Sequence, residues 1–208
     1  RDEIRAAVEE AENMGSYVSS HAQANKGIRT ALENGVKCIE HGFYIDDYCI
    51  ELMLRKDCYL VPTLSVMHIS KLFNESNPNI LPELKEKTLR SYEAHYISLE
   101  KAHKAGIKIG MGCDFVNDSV MGCTYDKANM EFERMEAAGF SPMEIIQAAT
   151  KTNSELILMQ DKVGTLEKDK LADVIMVSGN PLEDIKILCD ADNVKLVLQD
   201  GNIVKDVH

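Results

Sequence analysis

Three side chains that bind divalent metal ions follow three separate strand-like segments of this 208-residue sequence. His21 ends the segment SYVSSH, His41 ends VKCIEH, and Asp114 ends IKIGMGCD. Imidazole and carboxylate are ligands that Zn²⁺ or a similar ion takes in catalytic sites, where one position stays open for water. Such an ion lowers the pKa of its bound water towards about 7, and a carboxylate beside it can move the proton. We therefore predict a hydrolytic metal site with His21, His41 and Asp114 as ligands.

Each of these residues also has a structural interpretation. A single histidine at the end of a strand is often a hydrogen-bonded structural residue, and an aspartate after a strand often caps a helix or forms a turn. The metal site is favoured only when the three are taken together, because they end three strands of one predicted parallel barrel.

Strand-like and helix-like segments alternate four times before residue 160. The strand patterns are SYVSSHA, VKCIEHG, YLVPTL and IKIGMGCD. Helical periodicity covers residues 2–14, 25–35, 46–56, 83–105, 127–138 and 142–158. The last of these helices opens with Ser141 and Glu144, which are spaced as a capping box. This order predicts an α/β fold with a parallel sheet, in which the carboxyl ends of the strands meet at one mouth.

The pattern changes after residue 160. The segments LADVIMVS and VKLVLQDGNIV indicate further strands, and Asp200-Gly201 between alternating apolar residues indicates a hairpin. We therefore divide the chain into a barrel portion over residues 1–160 and a smaller β-strand unit over residues 161–208.

The composition favours a globular protein that acts on a small molecule. A formal net charge of −11 excludes nucleic acid and anionic membrane as main partners, because both need a basic face. No apolar run approaches the ~18 residues of a membrane span. The six cysteines are scattered without a CxxC pair, which favours reduced thiols in a cytoplasmic protein. The chain begins within a helical pattern, so a targeting signal on a longer parent chain stays an open alternative.

Several segments resemble the amidohydrolase superfamily. SSHAQANKGIRTALENGVKCIEHG is similar to its fifth and sixth strand segments, each ending in a metal-binding histidine. GIKIGMGCD is similar to the eighth strand segment with its catalytic aspartate, although Cys113 stands where threonine is usual. The segments SPMEIIQAATKTNSELI and VGTLEKDKLADVIMVSGNPLEDI resemble the helix and tail that lead to a small β-sandwich domain. The resemblance is strongest to the imidazolonepropionase and Xaa-Pro dipeptidase group.

This resemblance implies the C-terminal half of a TIM-like (β/α)8 barrel, about four βα units, followed by a few strands of the β-sandwich. The resemblance implies that His21 and His41 bind the second metal ion of a pair and that Asp114 is both a metal ligand and the general base. The complete enzyme would hold one or two divalent ions, with Zn²⁺ favoured. It would hydrolyse an amide-type C–N bond in a dipeptide, an N-acyl amino acid or a cyclic amide. Two alternatives are a deaminase of the same superfamily and a non-catalytic truncated or assembly module.

Two further residues are candidates for substrate binding. Tyr44 follows His41 closely, and a tyrosine near this place contacts a substrate carboxylate in similar dipeptidases; packing is the alternative. His68 follows the third predicted strand by five residues, where it either faces the mouth or lies in a surface loop. The segment MGCTYD at 121–126 lacks a histidine that this group often carries, and Asp169 replaces a usual glycine.

Four βα units cannot close an eight-stranded barrel, which takes about 250 residues. By the family pattern, the His-x-His of the first strand, the bridging lysine of the fourth and the opening strands of the sandwich are absent. An open sheet leaves unpaired edges, and each buried backbone N–H or C=O without a hydrogen-bond partner lowers stability by about 1–3 kcal/mol. We therefore expect this chain to be inactive alone. We expect the N-terminal half of a longer parent, or another copy in a homo-oligomer, to cover its edges.

Overall fold

The predicted parallel sheet is present in the computed structural model, which describes residues 1–207. The strands are β1 (Ser19–Ala22), β2 (Cys38–His41), β3 (Tyr59–Val61) and β4 (Lys108–Ile109). They lie in the order β1-β2-β3-β4, and each pairs in parallel with the next. The prediction of βα units with a parallel sheet is confirmed. The regular pairing of β4 is shorter than predicted, because the backbone becomes irregular from Gly110 onwards.

Helices connect the strands and follow the last of them. They are α1 (Asp2–Asn13), α2 (Asn25–Glu33), α3 (Asp47–Lys56), α4 (Leu64–Ser76), α5 (Pro82–Ala105), α6 (Met130–Ala137), α7 (Pro142–Gln147) and α8 (Asn153–Leu156). A π-helical turn, Ala148–Thr152, divides α7 from α8 within the predicted helix 142–158. The sequence analysis missed α4. Its serines and β-branched residues have low helix propensity, and no side chain of its own caps its start.

One face of the parallel sheet carries the core. Ile39, Leu60 and Ile109 lie side by side on neighbouring strands and pack against the helices. The opposite face is more polar and borders a cavity of about 450 Å³, whose lining includes Ser19 and Glu40. Parallel sheets are normally covered on both faces, so this second face is the unusual one.

The second sheet is antiparallel and contains β5 (Val174–Val177), β6 (Val194–Gln199) and β7 (Asn202–Asp206). Asp200 and Gly201 join β6 to β7 with φ angles of 49° and 76°. Two consecutive positive φ angles match the twist of a hairpin, which explains the Asp-Gly sequence and confirms the predicted hairpin. The domain division at residue 160 stays a prediction, and His208 lies outside the described residues.

The structure shows the state of the cysteines and whether any described helix could span a membrane. Cysteines at six positions, all within residues 1–207, are free thiols. Among the same residues, no helix is both long and apolar enough to cross a membrane.

The predicted capping box at the start of α7 is confirmed. The Ser141 side chain accepts from the Glu144 amide, and the Glu144 carboxylate accepts from the Ser141 amide at 2.8 Å. Glu144 also lies 2.9 Å from His103 Nε2 on α5. The hydrogen bonds from Ser141, followed by the one from His103, lower the pKa of Glu144 from 4.5 to about 2.

This ionised cap generates a prediction about pH. Because the folded state lowers the pKa of Glu144, its stabilising contribution is present above pH 4.5 and is lost as the pH falls through about 2. We expect the free energy of unfolding, measured in urea at each pH, to fall more steeply over this window in the wild type than in Glu144→Gln. Glu12→Gln, an exposed change on α1, should keep the wild-type slope. Identical slopes for wild type and Glu144→Gln would contradict this.

Candidate active site

Three residues at or after the carboxyl ends of neighbouring strands have left-handed backbone conformations: His41 ends β2, and Thr63 and Asp114 lie in the segments that follow β3 and β4. The φ angle is 74° at His41, 55° at Thr63 and 57° at Asp114. Aspartate and histidine are found in this region more often than most residues, but it is costly for the β-branched threonine. Such strain costs on the order of 1–3 kcal/mol per residue and persists only where surrounding contacts hold it. The rim of the sheet is therefore a strained and supported part of the fold.

The backbone of His41 changes the direction of its side chain. Side chains alternate along a strand, so an extended His41 would share the core-facing side of Ile39. The positive φ ends this alternation at His41, whose ring is buried and contacts His21 and Thr63 instead. The left-handed backbone of His41 therefore brings the imidazole to the rim.

The three predicted ligands meet around His41. The rings of His21 and His41 lie edge to face with their centroids 4.4 Å apart. His41 Nε2 lies 4.0 Å from Asp114 Oδ2. His41 is buried, whereas the Asp114 side chain is 52% exposed and His21 is exposed. His41 is thus the fixed member, and its two partners have room to turn.

Hydrogen bonding prepares His41 to offer one lone pair. Its Nδ1 lies 2.7 Å from Thr63 Oγ1. We assign the proton to Nδ1 on the basis of the predicted metal site, because the ring then donates to Thr63 and the lone pair of Nε2 is left for an ion. Burial, followed by the neighbouring His21, lowers the pKa of His41 and favours the neutral ring. Metal-bound histidines are neutral and have the other nitrogen held in this way, so the donor set fits a divalent ion.

The side chains do not form a closed cage. Within residues 1–207, no three His, Cys, Asp or Glu side chains converge closely enough to hold an ion. The predicted ligands instead form two pairs that share His41. Their joint role as ligands stays a prediction that needs His21 and Asp114 to turn towards Nε2 of His41.

A side-chain amide holds the irregular segment that leads to Asp114. Asn153 Oδ1 accepts from the Met111 amide at 3.0 Å, and Asn153 Nδ2 donates to the Met111 carbonyl at 2.9 Å. One amide group therefore takes the place of a neighbouring strand at the free edge beyond β4. Gly110 is needed for this approach, because a Cβ there would lie 2.7 Å from Asn153 Oδ1 and would also clash with Leu156.

The two predicted substrate-binding residues lie in different surroundings. Tyr44 is partly exposed in the loop after β2, and its hydroxyl lies 3.1 Å from Ser91 Oγ on α5. His68 lies on α4 rather than in a loop, and its Nδ1 is 3.4 Å from both Tyr92 Oη and Arg134 Nη1. These contacts lie between helices. Substrate binding by either residue stays a prediction, and the contacts of His68 add no support for it.

Sequence reasoning missed three residues that support the site. Thr63 ends a strand, so the rule that selected His21 and His41 should also have selected it. Glu131 shares a helix face with the buried Met135, four residues later, and a charge on such a face is a usable signal. For Asn153, neither spacing nor composition gives a signal.

Comparisons with known proteins place the whole chain in one family. Residues 1–204 match the model of the Amidohydrolase family. Ochratoxinase of Aspergillus niger is 32% identical over 207 residues, which are 98% of this chain and 41% of that protein. Imidazolonepropionase of Fusobacterium nucleatum is 25% identical over 179 residues, covering 83% of this chain and 37% of that protein.

A similar solved structure is a Xaa-Pro dipeptidase with bound methionine in the active site. It is 32% identical with a TM-score of 0.85, and the match covers 98% of this chain and 48% of the dipeptidase. The chain thus spans less than half the length of these relatives. The predicted fold is confirmed: the structure corresponds to the C-terminal portion of a TIM-like barrel with part of a small β-domain.

The two hydrogen bonds between the Asn153 side chain and the Met111 backbone generate a prediction. Asn153→Ala leaves the Met111 N–H and C=O without partners, so we expect the free energy of unfolding to fall by about 1–3 kcal/mol. Amide hydrogen exchange at Met111 should accelerate at the same time. Asn193→Ala removes a similar half-buried amide that donates to the Ile187 carbonyl, far from this segment in sequence, and should leave exchange at Met111 unchanged. If amide exchange at Met111 is unchanged in Asn153→Ala, the Asn153 side chain does not stabilise this segment.

Proposed function

The chain belongs to the amidohydrolase family, and from this we propose that it forms part of a metal-dependent hydrolase that cleaves an amide-type C–N bond. One observation supports the proposal most. His41, at the end of β2, is buried, lies within hydrogen-bond distance of Thr63, and is near both His21 of β1 and Asp114 in the segment after β4. This is the rim where barrels of this kind carry their chemistry.

The three residues have different proposed roles. His21 and His41 would hold a divalent ion through ring nitrogens, and Asp114 would complete the set; Zn²⁺ fits these donors. When bound, the ion supplies an activated water and polarises the substrate carbonyl. Asp114 receives the proton of the attacking water on a carboxylate oxygen and delivers it to the leaving nitrogen. Its exposed side chain suits this role, because it must reach both water and substrate.

The proposed substrates are small amides. Ochratoxinase and the Xaa-Pro dipeptidase are each similar to nearly the whole chain, which supports an N-acyl amino acid or a dipeptide. The match to imidazolonepropionase keeps a cyclic amide within the proposal. We retain Tyr44 as a candidate for contact with a substrate carboxylate, since this partly exposed side chain lies in the loop that follows His41. A deaminase would differ by releasing ammonia.

We also propose that a further polypeptide covers the open faces. β1 and β4 each lack a neighbour on their outer side among residues 1–207. A second cavity of about 480 Å³ lies between the end of the barrel portion and β5, and its lining includes the exposed Leu166 and Ile175. The N-terminal half of a longer chain would cover these surfaces, and another copy in a homo-oligomer is the alternative.

We propose a cytoplasmic location on the chemistry of the thiols. The free cysteines include four that are buried, with pKa values raised by burial: Cys38, Cys49, Cys58 and Cys123. Buried thiols of raised pKa are inert and suit a reducing compartment.

Ion binding tests the proposed ligand set. We expect the 208-residue protein to bind Zn²⁺ in isothermal titration calorimetry, and Asp114→Asn to bind it at least about tenfold more weakly. The control is Asp126→Asn, an exposed carboxylate in the same segment after β4, which should bind like the wild type. If Asp114→Asn binds with wild-type affinity, Asp114 is not a ligand.

Turnover tests the proposed reaction. Release of amino acid from dipeptides and N-acyl amino acids should be undetectable with this chain alone and should appear when the proposed N-terminal half is supplied. Asp114→Asn should then lower the rate by about 10²–10⁴-fold, the contribution of a positioned proton carrier. Ammonia release from nucleobases, without amino acid release, would overturn amide hydrolysis in favour of deamination.

A further inference from the structure

Helix α4 begins without a cap of its own. Thr63 occupies the position before the helix, where a threonine hydroxyl commonly accepts from the first free amides. Here it makes no such bond, because Thr63 has φ 55° and ψ 55° instead of the extended backbone of a usual capping residue, and its Oγ1 lies 2.7 Å from His41 Nδ1. The first amides of α4 therefore need another acceptor.

Glu131 provides that acceptor from α6. Its carboxylate accepts from the Leu64 amide at 2.8 Å, from the Ser65 amide at 2.7 Å, and from the Ser65 hydroxyl. The glutamate is 67 residues from Leu64 in the sequence and is fully buried, with 0% of its surface exposed. The Glu131 carboxylate therefore caps α4, which the Thr63 hydroxyl does not.

Burial of the Glu131 carboxylate at the start of α4 has a desolvation cost. Burial raises the pKa of Glu131 to about 7, although the bonds from Ser65 and Leu64 and the charge of Arg134 act in the opposite direction. The positive end of α4 also favours the ionised form. A threonine with an extended backbone would cap the helix without this desolvation cost, but Thr63 has the left-handed backbone that goes with its contact to His41.

We propose that Glu131 is a positioning residue of the candidate site: it caps α4 in place of Thr63 and thereby keeps the Thr63 hydroxyl on Nδ1 of His41. Through this contact, Nε2 of His41 keeps its lone pair and its direction towards Asp114. The importance of that direction rests on the proposed function, whereas the link from Glu131 to His41 does not.

Loss of the carboxylate should redirect Thr63. Without Glu131, two amides at the start of α4 lack an acceptor, and the Thr63 hydroxyl is the capping group in sequence. Relaxation of Thr63 from the left-handed to the extended backbone would bring the hydroxyl to those amides and break its contact with His41 Nδ1. The ring of His41 then loses the partner that selects its tautomer.

Glu131→Gln tests this link, because the amide keeps the size of the side chain but presents an N–H₂ group to donors. We expect exchange of the Leu64 and Ser65 amides to accelerate at least tenfold. The ¹⁵N resonances of the neutral His41 ring, assigned with a His41→Gln variant, should move from the Nδ1–H tautomer towards a mixture. Glu133→Gln, the same change two residues away on a partly exposed side chain, should alter neither readout. Glu131→Asp, whose carboxylate is one methylene shorter, replaces Glu131→Gln if the latter does not fold.

Thr63→Val separates positioning from capping. It should shift the His41 resonances in the same way and leave the Leu64 and Ser65 amides protected, and the double variant with Glu131→Gln should add nothing at His41. The proposal is overturned if Glu131→Gln accelerates exchange in α4 with no change at His41, since Glu131 is then a helix cap only. It is also overturned if Thr63→Val leaves His41 unchanged. These readouts need no metal or substrate, so they stay valid even if amide hydrolysis is refuted.

Discussion

The parallel register of β1, β2 and β3 is the constraint on which the site depends. His21 pairs with Glu40, which in turn pairs with Val61, so the three strands end at nearly the same level. Parallel strands of equal direction present their carboxyl ends at one rim, and residues separated by tens of positions in sequence thereby become neighbours. A slip of one residue between β1 and β2 would move the whole strand to the opposite face and separate the two rings.

The strand register alone does not determine the direction of the side chains at the rim. His41 reaches the rim because its backbone leaves the extended conformation, and Thr63 and Asp114 have the same left-handed geometry. Supporting contacts hold each of these positions: the Thr63 hydroxyl on His41, the Glu131 carboxylate at the start of α4, and the Asn153 amide before Asp114. Strain at the rim is therefore balanced by polar groups from helices that follow much later in the chain.

The sequence predicted those features that depend on local pattern. Alternating strands and helices, the capping box at Ser141 and the Asp-Gly hairpin all follow from spacing within about ten residues. The sequence did not predict α4, because its cap comes from Glu131 in another helix. It also could not predict the direction of the His41 ring, since strand alternation places that side chain on the core side. The contact of Asn153 with Met111 depends on a π-helical turn that periodicity does not reveal.

The central claim is that two imidazoles and one carboxylate from separate strands bind the same ion. X-ray absorption spectroscopy of the protein loaded with one equivalent of Zn²⁺ tests it most directly. The account predicts only nitrogen and oxygen neighbours at about 2.0–2.2 Å, with the multiple-scattering pattern of two histidines, and loss of one histidine contribution in His41→Gln. A sulfur neighbour at about 2.3 Å, or a spectrum unchanged by His41→Gln, would place the ion elsewhere and contradict the account.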